Sequence, residues 1–293
     1  MHADPTAITA LLPLKHFHRA FLREAIDSMF GQTSPAWRLV VIVEPADLDA
    51  FRGHLAEWLA DERVSLVPNE GHRHAGAFNK GMRVADTDFI AILLGDDLWA
   101  PNAVERLREE IARHPEVDLF HSGRRAIDRD GNALSGVMMP SDQVTIEGFI
   151  WKSQVKHLIC WRRAKGIAVG GMDETLTTAG PDDYDFPWTM AEKGAVLRAI
   201  HEPLYIYRDH RDGFRNTTHH PRSVHLRDLR HILSKHGVSR INIHRRVRQA
   251  KRGYLRQCLY RNRLHRWICL KLGWQPRAWR NTYAGESGTA TNS

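Results

Sequence analysis

Asp88-Phe89-Ile90-Ala91-Ile92-Leu93-Leu94-Gly95-Asp96-Asp97 is the stretch on which the reading of this chain turns. A short, continuous apolar run of this kind predicts a strand buried on both faces. It ends in a glycine and two carboxylates, and oxygen ligands of that type suit a hard divalent cation. Far along the chain, Gly170-Gly171-Met172-Asp173-Glu174 is followed by Gly180-Pro181-Asp182-Asp183-Tyr184-Asp185-Phe186. A second acidic cluster brought to the first would supply a base beside a metal-bound phosphate ester. Each pair has a plainer reading, because aspartate also caps helices: Asp96-Asp97 precede Pro101, and Asp182-Asp183 precede a helical stretch around Trp188.

Outward from Phe89 the pattern is an alternation. Ile8–Pro13, Arg38–Val43 and Val64–Val67 read as strands, and Val117–Phe120 and Glu202–Arg208 as two more. Phe21–Phe30, Asp49–Leu59, Ala75–Ala85 and a segment opening at Pro101 have apolar residues at helical spacing. Strands alternating with helices predict an α/β fold with a mostly parallel sheet flanked by helices. Ligands of such sheets bind beyond the carboxyl ends of the strands. Pro13, Leu14, Glu44 and Asp96-Asp97 all fall at those ends.

Charge divides the chain. Residues 221–293 hold 17 of the 42 Lys and Arg but two of the 34 Asp and Glu, a net +15 against −7 for residues 1–220. We expect a domain over 1–215, with a nucleotide-binding half (1–117) and an acceptor half (118–215), then a basic helical extension over 216–280 and a disordered tail over 281–293. Arg222–Gly237 and Ser239–Gly273 read as two basic helices with apolar residues such as Leu226, Leu229, Ile232, Leu233 and Trp267. Such helices suit an anionic membrane surface, or packing against the acidic body, or, less well, nucleic acid. No run approaches the roughly 20 apolar residues of a membrane span, and no basic-then-apolar leader opens the chain. Three cysteines without ligand spacing indicate reduced thiols and no zinc site. Together these predict a cytoplasmic protein, placed at the inner face of a membrane if the tail binds lipid.

The ordered motifs resemble glycosyltransferase family 2, with its GT-A fold, over roughly residues 8–215. The resemblance lies in Leu22–Thr33, Trp37–Glu44, Asn69-Glu70-Gly71 with Ala75–Gly81, Leu94-Gly95-Asp96-Asp97, Gly170–Leu176 with Asp182–Asp185, and Pro203–His210. It implies an inverting transferase that moves a sugar from a nucleotide-diphosphate donor, a UDP-sugar by default, to a hydroxyl of a glycan or glycolipid, with Mn²⁺ or Mg²⁺ as cofactor. By the same resemblance Asp183 is the base with Asp182 beside it. Pro13, Leu14, Glu44, His74, Asn79 and Asp96 line the donor. Asp96, Asp97 and His210 serve the metal, and Asp185, Trp188 and Arg208 the acceptor or diphosphate. Leu94 stands where the family's motif begins with aspartate, Asp182 where it has glutamate, and His74 where it often has Lys or Arg. A fold retained for binding or assembly without turnover is the alternative.

Overall fold

The computed structural model describes residues 7–15, 17–177, 180–209, 222–261 and 271. Its nine strands are β1 (Ile8–Leu14), β2 (Trp37–Val43), β3 (Val64–Pro68), β4 (Phe89–Ile92), β5 (Leu98–Trp99), β6 (Leu119–Ile127), β7 (Ala133–Met138), β8 (Ile159–Arg162) and β9 (Leu197–Arg208). They form one sheet in the order β3-β2-β1-β4-β8-β6-β9-β5, with β7 paired to β6. The pairs β1–β2, β2–β3 and β1–β4 are parallel. Beyond β4 the sheet is mixed: β8 runs antiparallel to both β4 and β6, while β6 and β9 are parallel. The expected parallel arrangement thus describes the first half best. The sequence pattern did not show β5, β7 or β8, of which β5 and β8 are only two and four residues long.

The helices are α1 (Arg19–Phe30), α2 (Leu48–His54), α3 (Ala56–Leu59), α4 (Arg73–Val84), α5 (Ala103–Arg113), α6 (Ile146–Trp151), α7 (Arg163–Ala168), α8 (Phe186–Glu192), α9 (Arg222–Lys235) and α10 (Arg240–Arg261). Successive strand residues point to opposite faces, and the core divides accordingly. Ile8, Ala10, Leu12 and Leu14 of β1 pack with Leu22, Ile26 and Met29 of α1 and with Val104 and Leu107 of α5. Leu11 and its neighbours Val40, Ile42, Ile90 and Ile92 face the other way, toward Phe78 and Met82 of α4 and Trp188 of α8.

Helix α9 completes that second core. Leu226, Leu229, Ile232 and Leu233 are buried there, and Val247 of α10 joins them. This corrects the expected boundary near 215. Of the alternatives the charge pattern left open, packing against the body is the one these four buried residues of the first tail helix display. The apolar positions of the second helix beyond 252, Trp267 among them, lie outside the described side chains. Among the described residues no helix is long and apolar enough to cross a membrane.

One buried residue has a measurable consequence. His121 on β6 is fully buried, and neither ring nitrogen has a hydrogen-bond partner among the described residues. Burial, with the nearby His201 charge, lowers its pKa to about 4. The folded protein therefore holds His121 neutral where the unfolded chain takes up a proton, and stability falls as pH drops from about 6.5 toward 4. We expect His121→Leu to flatten this loss by about 3 kcal/mol and to change stability at pH 7 little. Urea unfolding of both proteins at pH 4.5 and 7.5 checks it; parallel pH dependences would contradict it.

Candidate active site

The carboxyl ends of β1, β2 and β4 lie side by side, because Leu14 pairs with Val43 and Ile92 with Leu11. Glu44 follows β2 and is half-buried, 3.4 Å from the amide nitrogen of Asn69. Pro13 is half-buried at the end of β1. Leu14, by contrast, is a core side chain, and offers a ligand only its backbone.

Past β4, Asp96 and Asp97 part company. Asp96 is half-buried at the strand end. Asp97 is 1% exposed. One of its oxygens accepts from the Arg208 backbone N–H at 2.7 Å and the other from Tyr205 Oη at 2.9 Å. Burial and the adjacent Asp96 charge push its pKa up to about 7. Both Asp97 oxygens, expected to serve a metal, are engaged by the protein itself. Arg208 is also 1% exposed. Its Nε donates to the Asp96 carbonyl at 2.9 Å and Nη1 to the Arg129 carbonyl at 3.2 Å, Nη2 pairs with Glu24, and the guanidinium lies 4.4 Å from the centre of the Phe21 ring. It is a strut beneath the Asp96 loop, not a group facing diphosphate.

The second acidic cluster arrives on one π-helical turn, Pro181–Asp185, running into α8. Such turns are uncommon and recur at functional sites. Gly180 precedes it, and a β-carbon there would collide with Asp183 Oδ1. Asp182 lies 3.2 Å from His157 Nε2. Burial opposes both charges, yet the pair holds: the Asp182 pKa is lowered by His157, and the His157 pKa is raised by Asp182. His157 also stacks on Tyr205, with centroids 5.3 Å apart. Asp183 is half-buried, and Ser153 Oγ donates to its carbonyl at 2.6 Å. Burial and the Asp182 charge raise its pKa, against Lys156 and His157. His74, half-buried at the start of α4, is held neutral by burial and lies within electrostatic reach of Asp182, His157 and Asp96. The two acidic motifs therefore converge, with His74, His157 and Tyr205 between them.

Asn79, Asp185 and Trp188 do other work. Asn79 donates to the Met172 carbonyl (2.9 Å) and Glu174 (2.8 Å) and accepts from the Met172 N–H (2.8 Å). Glu174 in turn accepts from the His72 N–H at 2.7 Å, and Arg73, in the left-handed region at φ 59°, donates to the Glu174 and Thr175 carbonyls. A β-carbon on Gly71 would lie 2.7 Å from Gly76 Cα and 2.8 Å from Glu174, so this clamp requires glycine. Asp185 is buried between Lys235 (2.7 Å) and His236 (3.1 Å) of the α9 end. Trp188 lies in the core, stacked on His236 at 4.0 Å. Asp185 and Trp188, expected at the acceptor, thus lie on the side of α8 that the end of α9 covers. His210 lies outside the described residues. His157, Lys156 and Tyr205 escaped the sequence reading; only their neighbourhood in space marks them.

Residues 15–163, half of the chain, match the family described as Glycosyl transferase family 2. The chain belongs to that family. It is 24% identical over 205 residues to the O-antigen biosynthesis protein RfbC of Myxococcus xanthus, covering 69% of this chain and 16% of that protein. It is 25% identical over 216 residues to an uncharacterised glycosyltransferase of Methanocaldococcus jannaschii, covering 72% and 74% respectively. Among solved structures, S. aureus TarS 1–349 in complex with UDP-GlcNAc superposes with a TM-score of 0.60 at 14% identity, covering 78% of this chain and 66% of that one. The mannosyltransferase PcManGT of Pyrobaculum calidifontis, in complex with GDP-Man and Mn²⁺, gives 0.54 at 18%, covering 85% and 70%. The fold is that of these GT-A proteins.

Among the described residues, no three His, Cys, Asp or Glu side chains converge as a cation site. Asp96 contributes one carboxylate at the strand end. That set fits a cation shared with a ligand's phosphates, since Mg²⁺ is commonly held by one or two carboxylates plus phosphate oxygens; it does not fit a cation held by the protein alone.

Proposed function

We propose that the chain is an inverting transferase that moves a sugar from a nucleoside-diphosphate donor, a UDP-sugar in the first instance, to a hydroxyl of a glycan or glycolipid. The observation that carries this is the convergence of the two acidic motifs, far apart in sequence, through Tyr205, which bonds Asp97 and stacks on His157, the partner of Asp182. Family membership and the nucleotide-sugar complexes of the fold's relatives support it.

In this reading the donor lies over the ends of β1, β2 and β4, with Glu44 beside the nucleoside. The acceptor oxygen bonds to the anomeric carbon as the bond to the diphosphate breaks, and the hydroxyl proton passes to Asp183. Its raised pKa suits a group that must accept a proton near neutrality. Asp182, tied to His157, keeps the neighbouring negative charge that helps raise it. His74 stays neutral and donates or accepts a hydrogen bond near the diphosphate. A bound Mn²⁺ or Mg²⁺ at Asp96 would offset the charge that builds on the leaving diphosphate.

Thermal unfolding with UDP, GDP and dTDP, each with and without Mn²⁺, tests the donor side. A nucleotide at about 100 times its dissociation constant adds about 2.7 kcal/mol. We expect one nucleotide to stabilise the protein in a Mn²⁺-dependent way, and Asp96→Ala to remove that dependence. Equal midpoints under all conditions would remove the donor assignment.

A further inference from the structure

Helix α9 and the residue after it touch the second acidic motif at both of its ends. At the first end the Thr177 N–H donates to Asp228 at 2.9 Å, and His231 Nε2 lies 3.1 Å from Asp173 and 3.3 Å from Thr175 Oγ1. At the other, His236 fits between Asp185 (3.1 Å) and Glu192 (2.7 Å). Lys235 reaches both. Its Nζ donates to Asp173 at 3.3 Å and to Asp185 at 2.7 Å, so one ammonium closes the stretch 173–185, which carries Asp182 and Asp183. The two ends belong to different parts of the site. Asp173 adjoins Glu174, whose carboxylate is bonded to Asn79 and the His72 N–H and so clamps the start of α4. Asp185 ends the π-helical turn. His157, Ser153 and the Phe149 carbonyl hold that turn from the segment 149–157, and Lys235 ties it to the clamp. Helix α9 is seated by Leu226, Leu229, Ile232 and Leu233, so Lys235, with a side chain 33% exposed, is not needed to seat it.

We infer that Lys235 is a positioning residue of the transferase reaction: by bridging Asp173 and Asp185 it sets the distance between the turn that carries Asp183 and the clamp that fixes the start of α4. This rests on the transferase reading above. Displacement at the anomeric carbon needs base, acceptor oxygen and donor in one arrangement, and an error of about 1 Å can cost about 10²-fold in rate. Lys235 meets no reacting group itself and acts through Asp185, on the same turn as Asp183. An ammonium has three donors and can serve two carboxylates at once. A guanidinium can do the same with its fork of N–H groups, and an uncharged side chain cannot. Asp185 thus serves the reaction without facing the acceptor.

The test compares the full chain with Lys235→Met, Lys235→Arg, Asp173→Asn and the Lys235→Met, Asp173→Asn double variant. Water stands in for the acceptor, with UDP-glucose, UDP-N-acetylglucosamine and GDP-mannose as donors. Its oxygen bonds to the anomeric carbon, the bond to the diphosphate breaks, and the proton passes to Asp183. We expect Lys235→Met to lower kcat for this hydrolysis about 10- to 100-fold, with nucleotide affinity within about twofold, and Lys235→Arg to restore most of the rate. Asp173→Asn should lower it as well, and the double variant should be no slower than Lys235→Met, because groups acting through one bridge are not additive. Amide hydrogen exchange reads the bridge without turnover. In Lys235→Met the Tyr184 and Asp185 amides, bonded to the Gly180 carbonyl at 3.1 Å, should exchange faster, while residues 226–233 of α9 exchange as before. Unchanged kcat in an active enzyme, or unchanged exchange in the turn, overturns the inference. So does equal acceleration along α9, or a loss of rate that Lys235→Arg does not restore; either would make Lys235 a staple of the fold. If the unaltered chain hydrolyses none of the three donors, the donor reading fails. Hydrogen exchange then judges the bridge: faster exchange confined to the turn supports it, and unchanged exchange overturns it.

Discussion

Asp183→Asn is expected to lower sugar transfer by about 10²- to 10⁴-fold, the usual contribution of a positioned base, while nucleotide binding stays within about twofold. The side chain keeps its size, and the turn around it is held by other groups: the Ser153 bond goes to the Asp183 carbonyl, and Asp182 remains with His157. Removal of one of two adjacent carboxylates should even relieve repulsion, so melting should shift little. Steady-state rates alongside nucleotide titration separate the outcomes. Full turnover in the variant would exclude Asp183 as the base and favour the reading in which the fold binds without turning over.

A chain ended at residue 221, before α9, should not fold cooperatively. Four side chains, Leu226, Leu229, Ile232 and Leu233, are at most 6% exposed, and burying such residues contributes about 1.5–3 kcal/mol each. Their sum, about 6–12 kcal/mol, is comparable with the whole stability of an ordinary domain, about 5–15 kcal/mol. The cut also removes Lys235 and His236, and so leaves Asp185 buried without its ammonium and imidazole partners. A milder version is Leu229→Ala in the full chain, which should cost about 2–5 kcal/mol. Urea unfolding reads both. A soluble 1–221 chain with a sharp transition near that of the full chain would show that α9 rests on the core without completing it.

The contrast between Asp96 and Asp97 shows where sequence reading stops. Both follow the same apolar strand, and nothing local distinguishes them. Tyr205 and the Arg208 N–H belong to β9, more than a hundred residues away, and consume Asp97. The same holds for Asp182 and Asp183: His157, from the segment before β8, takes the first and leaves the second. Trp188 and Asp185 read as acceptor-facing by resemblance alone, and nothing in the local pattern shows that α9 folds back over α8.

Local pattern was enough for β1 to β4 and their helices, because alternation, apolar runs and strand-end carboxylates are properties of neighbours along the chain. It placed Asp96-Asp97 at a strand end of the kind where ligands bind, and the ordered motifs gave the family. The order of strands beyond β4 is decided by pairing across the sheet, with β8 inserted antiparallel between β4 and β6. That pairing, together with α9, decides which carboxylates are spent on structure and which are left for a ligand. Burial and partner choice are sums over residues distant in sequence, so only the folded arrangement could assign them.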